Sequence, residues 1–289
     1  MDRVSRPAPA SAGGDRRSND GERSARGPGL PGGSMTASAQ DAFRGRTVLI
    51  IIVGHLANAP RAQKEAKALR AAGARVIIRG NWADPSLVDE DLALARALDV
   101  DFAPATDLRR EGGRLLDRWR HRIAHQSFSR LALLSARVLG PGAPELLRAA
   151  RHIRADLTMV HSEPGLWVGR HLLADGMRVG VDFEDWFSRD QLPADRDASV
   201  RAALQELEQH MLRNAHCCLA TTRVMAEALA EYAGTSRVPT VVPNCFPALV
   251  IGEAWPGGEE RVGKAVSFYW VSQTIGPGRG LEALASALP

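Results

Sequence analysis

The sequence predicts an α/β chain: a doubly wound parallel sheet, followed by a fragment of a second α/β domain. Three observations predict it. "TVLIIIV", Thr47 to Val53, is a continuous apolar run of strand length, as expected of a strand buried on both faces of a parallel sheet. Stretches with helical apolar spacing then alternate with short apolar runs, which is the pattern of β-α-β units. Gly and Pro fall between them, where the chain must turn.

The elements follow in order. Residues 1–44 are Gly-, Pro-, Ser- and Arg-rich with no apolar periodicity, and so are expected to be disordered. Met35 marks a second place at which a native chain could begin. After the first strand, "GHLANAP" reads as a loop, with Pro60 suited to the first turn of a helix. "RAQKEAKALRAA" is that helix, with Ala62, Ala66 and Leu69 on one face and Gly73 as its stop. "ARVIIRG" is the second strand and Ala97 to Pro104 the third. "PELLRAARHIRA" is helical, "DLTMVHS" (Asp156 to Ser162) a strand, and "GLWVGRHLLADG" a helix closed by Gly176. "RVGVDFED" (Arg178 to Asp185) is a strand and "ASVRAALQELEQHMLRNA" a long helix. "HCCLATT" is a strand, "RVMAEALAEYAG" a helix and "TVVPN" the last strand. This domain spans 45–244, a Pro/Gly-rich linker follows over 245–263, and 264–289 opens a second unit. In that unit "AVSFYWV" is a strand, "SQTIGPGRG" a loop and "LEALASAL" a helix. One strand and half a crossover make no core alone, so the sequence is expected to be a truncated form.

Composition excludes several classes. The net charge is +4, and lysine occurs only at Lys64, Lys67 and Lys264. The basicity is arginine without interleaved aromatics, so no nucleic-acid partner is expected. Cys217, Cys218 and Cys245 have no metal-ligand spacing; they point to a reducing, cytoplasmic setting and no metal. No run is long enough to span a bilayer. In residues 108–123, Leu115, Leu116, Trp119 and Ile123 recur at helical spacing among Arg114, Arg118, Arg120 and Arg122. Such a helix packs on the sheet with a solvated basic face, or lies on the anionic inner face of a membrane as a peripheral contact.

In open α/β sheets ligands bind outside the carboxyl ends of the strands. Three strand ends carry polar loops. The first offers Gly54, His55, Asn58 and Arg61, without the glycine spacing of a dinucleotide site. The next offers His161 and Glu163, and the third Glu184 and Asp185. Each has a structural alternative: His55 can pack or cap, Glu163 can cap a helix start, and Glu184 and Asp185 can order their own loop.

Read together, these stretches are familiar. "NAPRAQKEAKALRAAGARV", "DLTMVHSEPG", "VDFEDWFSRD" and above all "LEQHMLRNAHCCLATTRVMAEALAEYAGTSRVPTVVPNCF" resemble the N-terminal half of GT-B glycosyltransferases of the family 4 type. "FYWVSQTIGPGRGLEALASAL" looks like the opening of that family's donor-binding domain, and the likeness runs from about Thr47 to Leu288. Glu184 stands where the family commonly has histidine, and Ser272 and Gln273 replace its first Gly-Arg pair, while Arg279-Gly280 matches. The resemblance implies a Rossmann-like acceptor-side domain. It implies transfer of a sugar from a nucleotide-sugar donor to a glycan or lipid-linked acceptor, with retention of configuration and no metal or other cofactor. It places Gly54, Arg279 and Gly280 on the donor side. On the acceptor side it places His55, Asn58, Arg61, His161, Glu163, Glu184 and Asp185. No catalytic base is named, and little activity is expected of the 289 residues alone. Two alternatives stand: a non-catalytic glycan- or partner-binding module, and a GT-B-shaped nucleotide-sugar epimerase that would use carboxylates for proton abstraction.

Overall fold

The structure is a computed structural model that describes residues 41–109, 139–140, 142–190, 198–245, 268, 270 and 280–288. Seven strands form one parallel sheet in the order β3-β2-β1-β4-β5-β6-β7. They are β1 (Thr47–Ile51), β2 (Arg75–Trp82), β3 (Asp101–Asp107), β4 (Leu157–His161), β5 (Val179–Phe183), β6 (Cys217–Ala220) and β7 (Thr240–Val241). The helices are α1 (Pro60–Ala71), α2 (Val88–Leu98), α3 (Ala143–Ile153), α4 (Ser162–Ala174), α5 (Ala198–Asn214), α6 (Arg223–Ala233) and α7 (Leu281–Ala287). This is the doubly wound, Rossmann-like arrangement expected from the alternation of elements.

Strand alternation divides the core in two. Leu49 and Ile51 of β1 join Val160, Val181 and Phe183, under α3, α4, α5 and α6. Val48 and Ile50 face the other way and meet Ala62 and Ala66 of α1 and Ala95 of α2. Residues 48–51 are all fully buried, so both faces of the apolar run are used. The same alternation turns Asp182 away from its neighbours Val181 and Phe183, toward the face on which α1 lies.

Two stretches differ from the sequence reading. A helix, α2, occupies Val88–Leu98, where the reading had no element and began its third strand at Ala97. Its first turn carries Asp89, Glu90 and Asp91, which favour a helix N-terminus. Asp84 accepts from Ser86 N at 2.9 Å to start the preceding 3-10 turn, Pro85–Leu87. The strand therefore slides to Asp101–Asp107, and it tolerates Pro104 because β3 is the sheet edge. The second difference is at "HSEPG", read as a loop; α4 begins at once with Ser162. Ser162 has φ 61, so a single left-handed residue turns strand into helix, and its hydroxyl donates to the His161 carbonyl at 2.5 Å.

The basic stretch 110–123, the linker after Cys245, most of the strand expected at "AVSFYWV" and Arg279 lie outside the described residues. So do residues 1–40. The helix expected at "LEALASAL" is α7, preceded by Gly280 at φ 90.

Candidate functional site

The chain runs from β1 outward to β3, then returns to β4 and proceeds the other way, so β1 and β4 flank the topological switch point. Here the loops after adjacent strands diverge and leave a crevice at the strand carboxyl ends. His161 closes β4, Asp182 lies in β5, Glu184 follows it, and α1 brings Arg61 and Glu65 over the same edge.

These five side chains form one charge cluster. Arg61 grips Asp182 with both arms of its fork, Nε to Oδ2 and Nη2 to Oδ1, each at 2.8 Å. Its remaining amino group, Nη1, donates to the Val242 carbonyl at 2.9 Å, just beyond β7. One residue group further along, Lys64 Nζ donates to Asn244 Oδ1 at 2.9 Å. His161 lies between two carboxylates, with Nδ1 2.6 Å from Glu184 Oε1 and Nε2 2.8 Å from Glu65 Oε2. The side chains of His161, Asp182 and Arg61 are 3%, 4% and 6% exposed, whereas Glu65 reaches 17% and Glu184 35%. The cationic side chains are thus buried against carboxylates, and Glu65 and Glu184 form the open side.

Burial opposes a charge on His161, but its bonds to Glu184 and Glu65 and their negative charges outweigh that penalty, and its pKa is raised to about 10. A protonated ring donates from both nitrogens, one to each glutamate. For Arg61, burial likewise opposes the charge, and the bonds and charge of Asp182 prevail. His161, Asp182 and Glu184 bring ligand atoms within 4.8 Å of one another. A metal held there would take the place of the Nδ1 proton and leave Nε2–H donating to Glu65.

The structure places the other expected residues as follows. His55 is 5% exposed and does not line an open cleft. Its Nε2 accepts from the backbone of Ala83 and Asp84 at 3.0 and 2.9 Å, so the proton sits on Nδ1, which donates to Asp91 Oδ2 at 2.7 Å. Asp91 also accepts from Trp82 Nε1 at 3.0 Å and from Ala57 N at 2.8 Å. His55 is therefore a buried joint between the loop after β1 and the β2–α2 connection. Asn58 is exposed on the β1–α1 loop, and Glu163 is half-buried in the first turn of α4. Asp185 is exposed beside Glu184. Gly54 meets nothing within 4 Å of where a Cβ would stand, whereas at Gly80 a Cβ would lie 2.4 Å from the Gly54 carbonyl oxygen. Close backbone approach is thus a requirement of Gly80. A hollow of about 410 Å³ lined by Arg151, Arg154 and Asp175 lies at the amino ends of the strands, away from this crevice.

Sequence reasoning missed Glu65 and Asp182. Both left a signal: Asp182 is an acid inside the apolar strand "VGVDF", and Glu65 stands one helical turn after Arg61.

The Glycosyl transferase 4-like domain family matches residues 58–245. The chain belongs to that family. The matched segment begins in the β1–α1 loop and ends just past β7, so it contains the whole charge cluster. No curated protein sequence matches the chain. Among solved structures, it is similar to sucrose-phosphate synthase from Thermosynechococcus elongatus, with 16% identity and a TM-score of 0.43 over 68% of this chain and 48% of that one. It is also similar to a putative UDP-N-acetylglucosamine 2-epimerase from Listeria monocytogenes, with 13% identity and a TM-score of 0.39 over 64% and 42%. A third is MurG from Acinetobacter baumannii, with 15% identity and a TM-score of 0.37 over 68% and 45%. The family 4-like chain spans about half the length of these proteins. No helix among the described residues is long and apolar enough to cross a membrane.

Proposed function

We propose that this chain is the acceptor-side domain of a glycosyltransferase, which moves a sugar from a nucleotide-sugar to an acceptor hydroxyl with retention of configuration. The observation that carries the reading is the family match across 58–245. In the reaction the bond between the anomeric carbon and the diphosphate oxygen breaks, and a bond to the acceptor oxygen forms. The hydroxyl proton leaves with the diphosphate. The oxocarbenium-like transition state calls for cations and N–H groups at the leaving group. By family resemblance those come from Arg279 and Gly280, with Gly54 leaving room for the donor.

The cluster supports an acceptor of defined charge. Arg61 and His161 are buried and bonded to carboxylates, while the groups that reach solvent are Glu65, Glu184 and Asp185. Carboxylates accept hydrogen bonds from sugar hydroxyls and repel phosphates. The favoured acceptor is a neutral, hydroxyl-rich glycan end. Asn58 and Glu163 extend this rim.

The test incubates the protein with a panel of nucleotide-sugars and with glucose or glucose 6-phosphate as acceptor, and identifies products by mass spectrometry. Glycosylated glucose, formed at least about tenfold faster than the phosphorylated product, is the expected result. E184Q should raise KM for the neutral acceptor. Epimerised donor without transfer would favour the epimerase reading. Binding of glucose with neither product would favour a non-catalytic module.

A further inference from the structure

The loop after β5 carries Glu184 and Asp185, and what holds it is a second buried acid that the site does not touch. Glu208 lies in α5 and is fully buried. It stands one turn after Leu204 and one turn before Leu212, both buried, on the helix face turned to the core. A leucine would suit that position. A carboxyl there loses its hydration and needs a compensating structural role.

The partners of Glu208 all come from the loop. Its Oε1 accepts from the backbone N–H of Ser188 at 2.8 Å. Its Oε2, the Ser188 hydroxyl and Trp186 Nε1 are all buried with no hydrogen bond of good geometry. Ser188 and Trp186 nevertheless lie close enough to favour the charge on Glu208. The loop is pinned on either side of this contact. Trp186 packs edge-on against Tyr232 of α6 at 5.2 Å, the Arg189 guanidinium stacks over Trp186 at 3.9 Å, and Phe187 meets Phe183 at 6.1 Å. The titratable groups around Glu208 are Glu163 on α4 and Tyr232 on α6. Burial pushes the Glu208 carboxyl up, and Glu163 adds to the rise against the pull of Ser188 and Trp186.

We propose that Glu208 is a positioning residue: it fastens the 184–190 loop from beneath and so holds Glu184 against His161. The span is short. Only three residues separate Glu184, which bonds the His161 ring, from Ser188, which bonds Glu208. Release of Ser188 loosens the loop beneath Glu184, and the contact of Glu184 with the His161 ring weakens. This inference rests on the His161–Glu184 contact being part of the site. It does not rest on sugar transfer, and its readouts are protons and amides, so it fails separately from the transferase reading.

The experiment titrates the His161 ring by NMR in the full chain and in E208Q and E208L, with H161Q to assign the signal. The wild-type ring should titrate near 10. E208Q keeps an acceptor oxygen for Ser188 N and should titrate with the wild type. E208L should fold, melt lower, and show a ring whose proton affinity has fallen about tenfold or more. A folded E208L with an unchanged ring overturns the proposal, as does an E208Q that behaves like E208L. If E208L fails to fold, the wild-type amide of Ser188 decides. Protection from hydrogen exchange comparable to the core strands is expected, and exchange as fast as that of exposed Asp190 overturns the proposal.

Discussion

His161 shows how a single ring can be set by its neighbours. An isolated histidine on a strand end is a base near neutral pH, with an ordinary value of 6.5, but two carboxylates raise this one to about 10. The folded value lies above the unfolded one, so the folded state binds the proton more tightly. The stabilisation it brings is complete below about 6.5 and is lost as pH rises through about 10. Chemical denaturation of the wild type should therefore show stability falling across that window. H161Q should flatten the slope, and equal slopes in the two proteins would mean that the ring is not charged in the folded state.

At the scale of elements, the β1–β2 pairing depends on one glycine. The β2–β3 register shifts at Gly80/Asn81, and at Gly80 a Cβ would stand 2.4 Å from the Gly54 carbonyl oxygen and 2.9 Å from Ile52 Cγ1. The nearest atom is backbone and cannot rotate away, so the strands must part. G80A should cost about 1–3 kcal/mol, the range for overpacking, read from denaturant midpoints. G54A meets nothing and should stay within about 0.5 kcal/mol. A G54A protein with normal stability but weakened nucleotide-sugar binding would support approach of the donor to that loop. If G80A matched G54A, the strands would be shown to yield.

At the scale of the whole molecule, Arg61 ties α1 to β5 and to the backbone just after β7. It bonds Asp182, 121 residues away, and the Val242 carbonyl, 181 residues away. Loss of Arg61 leaves the buried Asp182 without its two-pronged partner and with only the His161 ring, 3.9 Å away, opposite it. R61M should destabilise by about 3–5 kcal/mol and speed amide exchange around Val242. R61K should recover only part of this, because lysine cannot grip both carboxylate oxygens at once. A loss for R61M below about 1 kcal/mol would reduce the contact to the level of a surface pair.

The sequence by itself determined most of the alternation of strands and helices, the parallel sheet and the apolar face of the first helix. Those follow from local periodicity, as in "TVLIIIV", and each signal is complete within its own segment. It also marked the strand ends at Arg61, His161 and Glu184 as polar. Where signals were weak at short range the reading slipped. The acid-rich start of Val88–Leu98 looked like loop, and the single left-handed turn at Ser162 left no trace in composition. Only the tertiary structure decided which polar residues meet. Glu65, Asp182 and Glu208 lie within helices and a strand, and their roles come from partners up to 121 residues distant. It decided too that His55 is a buried joint and that His161 sits between two carboxylates. Protonation is set by burial and neighbouring charge, and those exist only once the chain has brought its strand ends together.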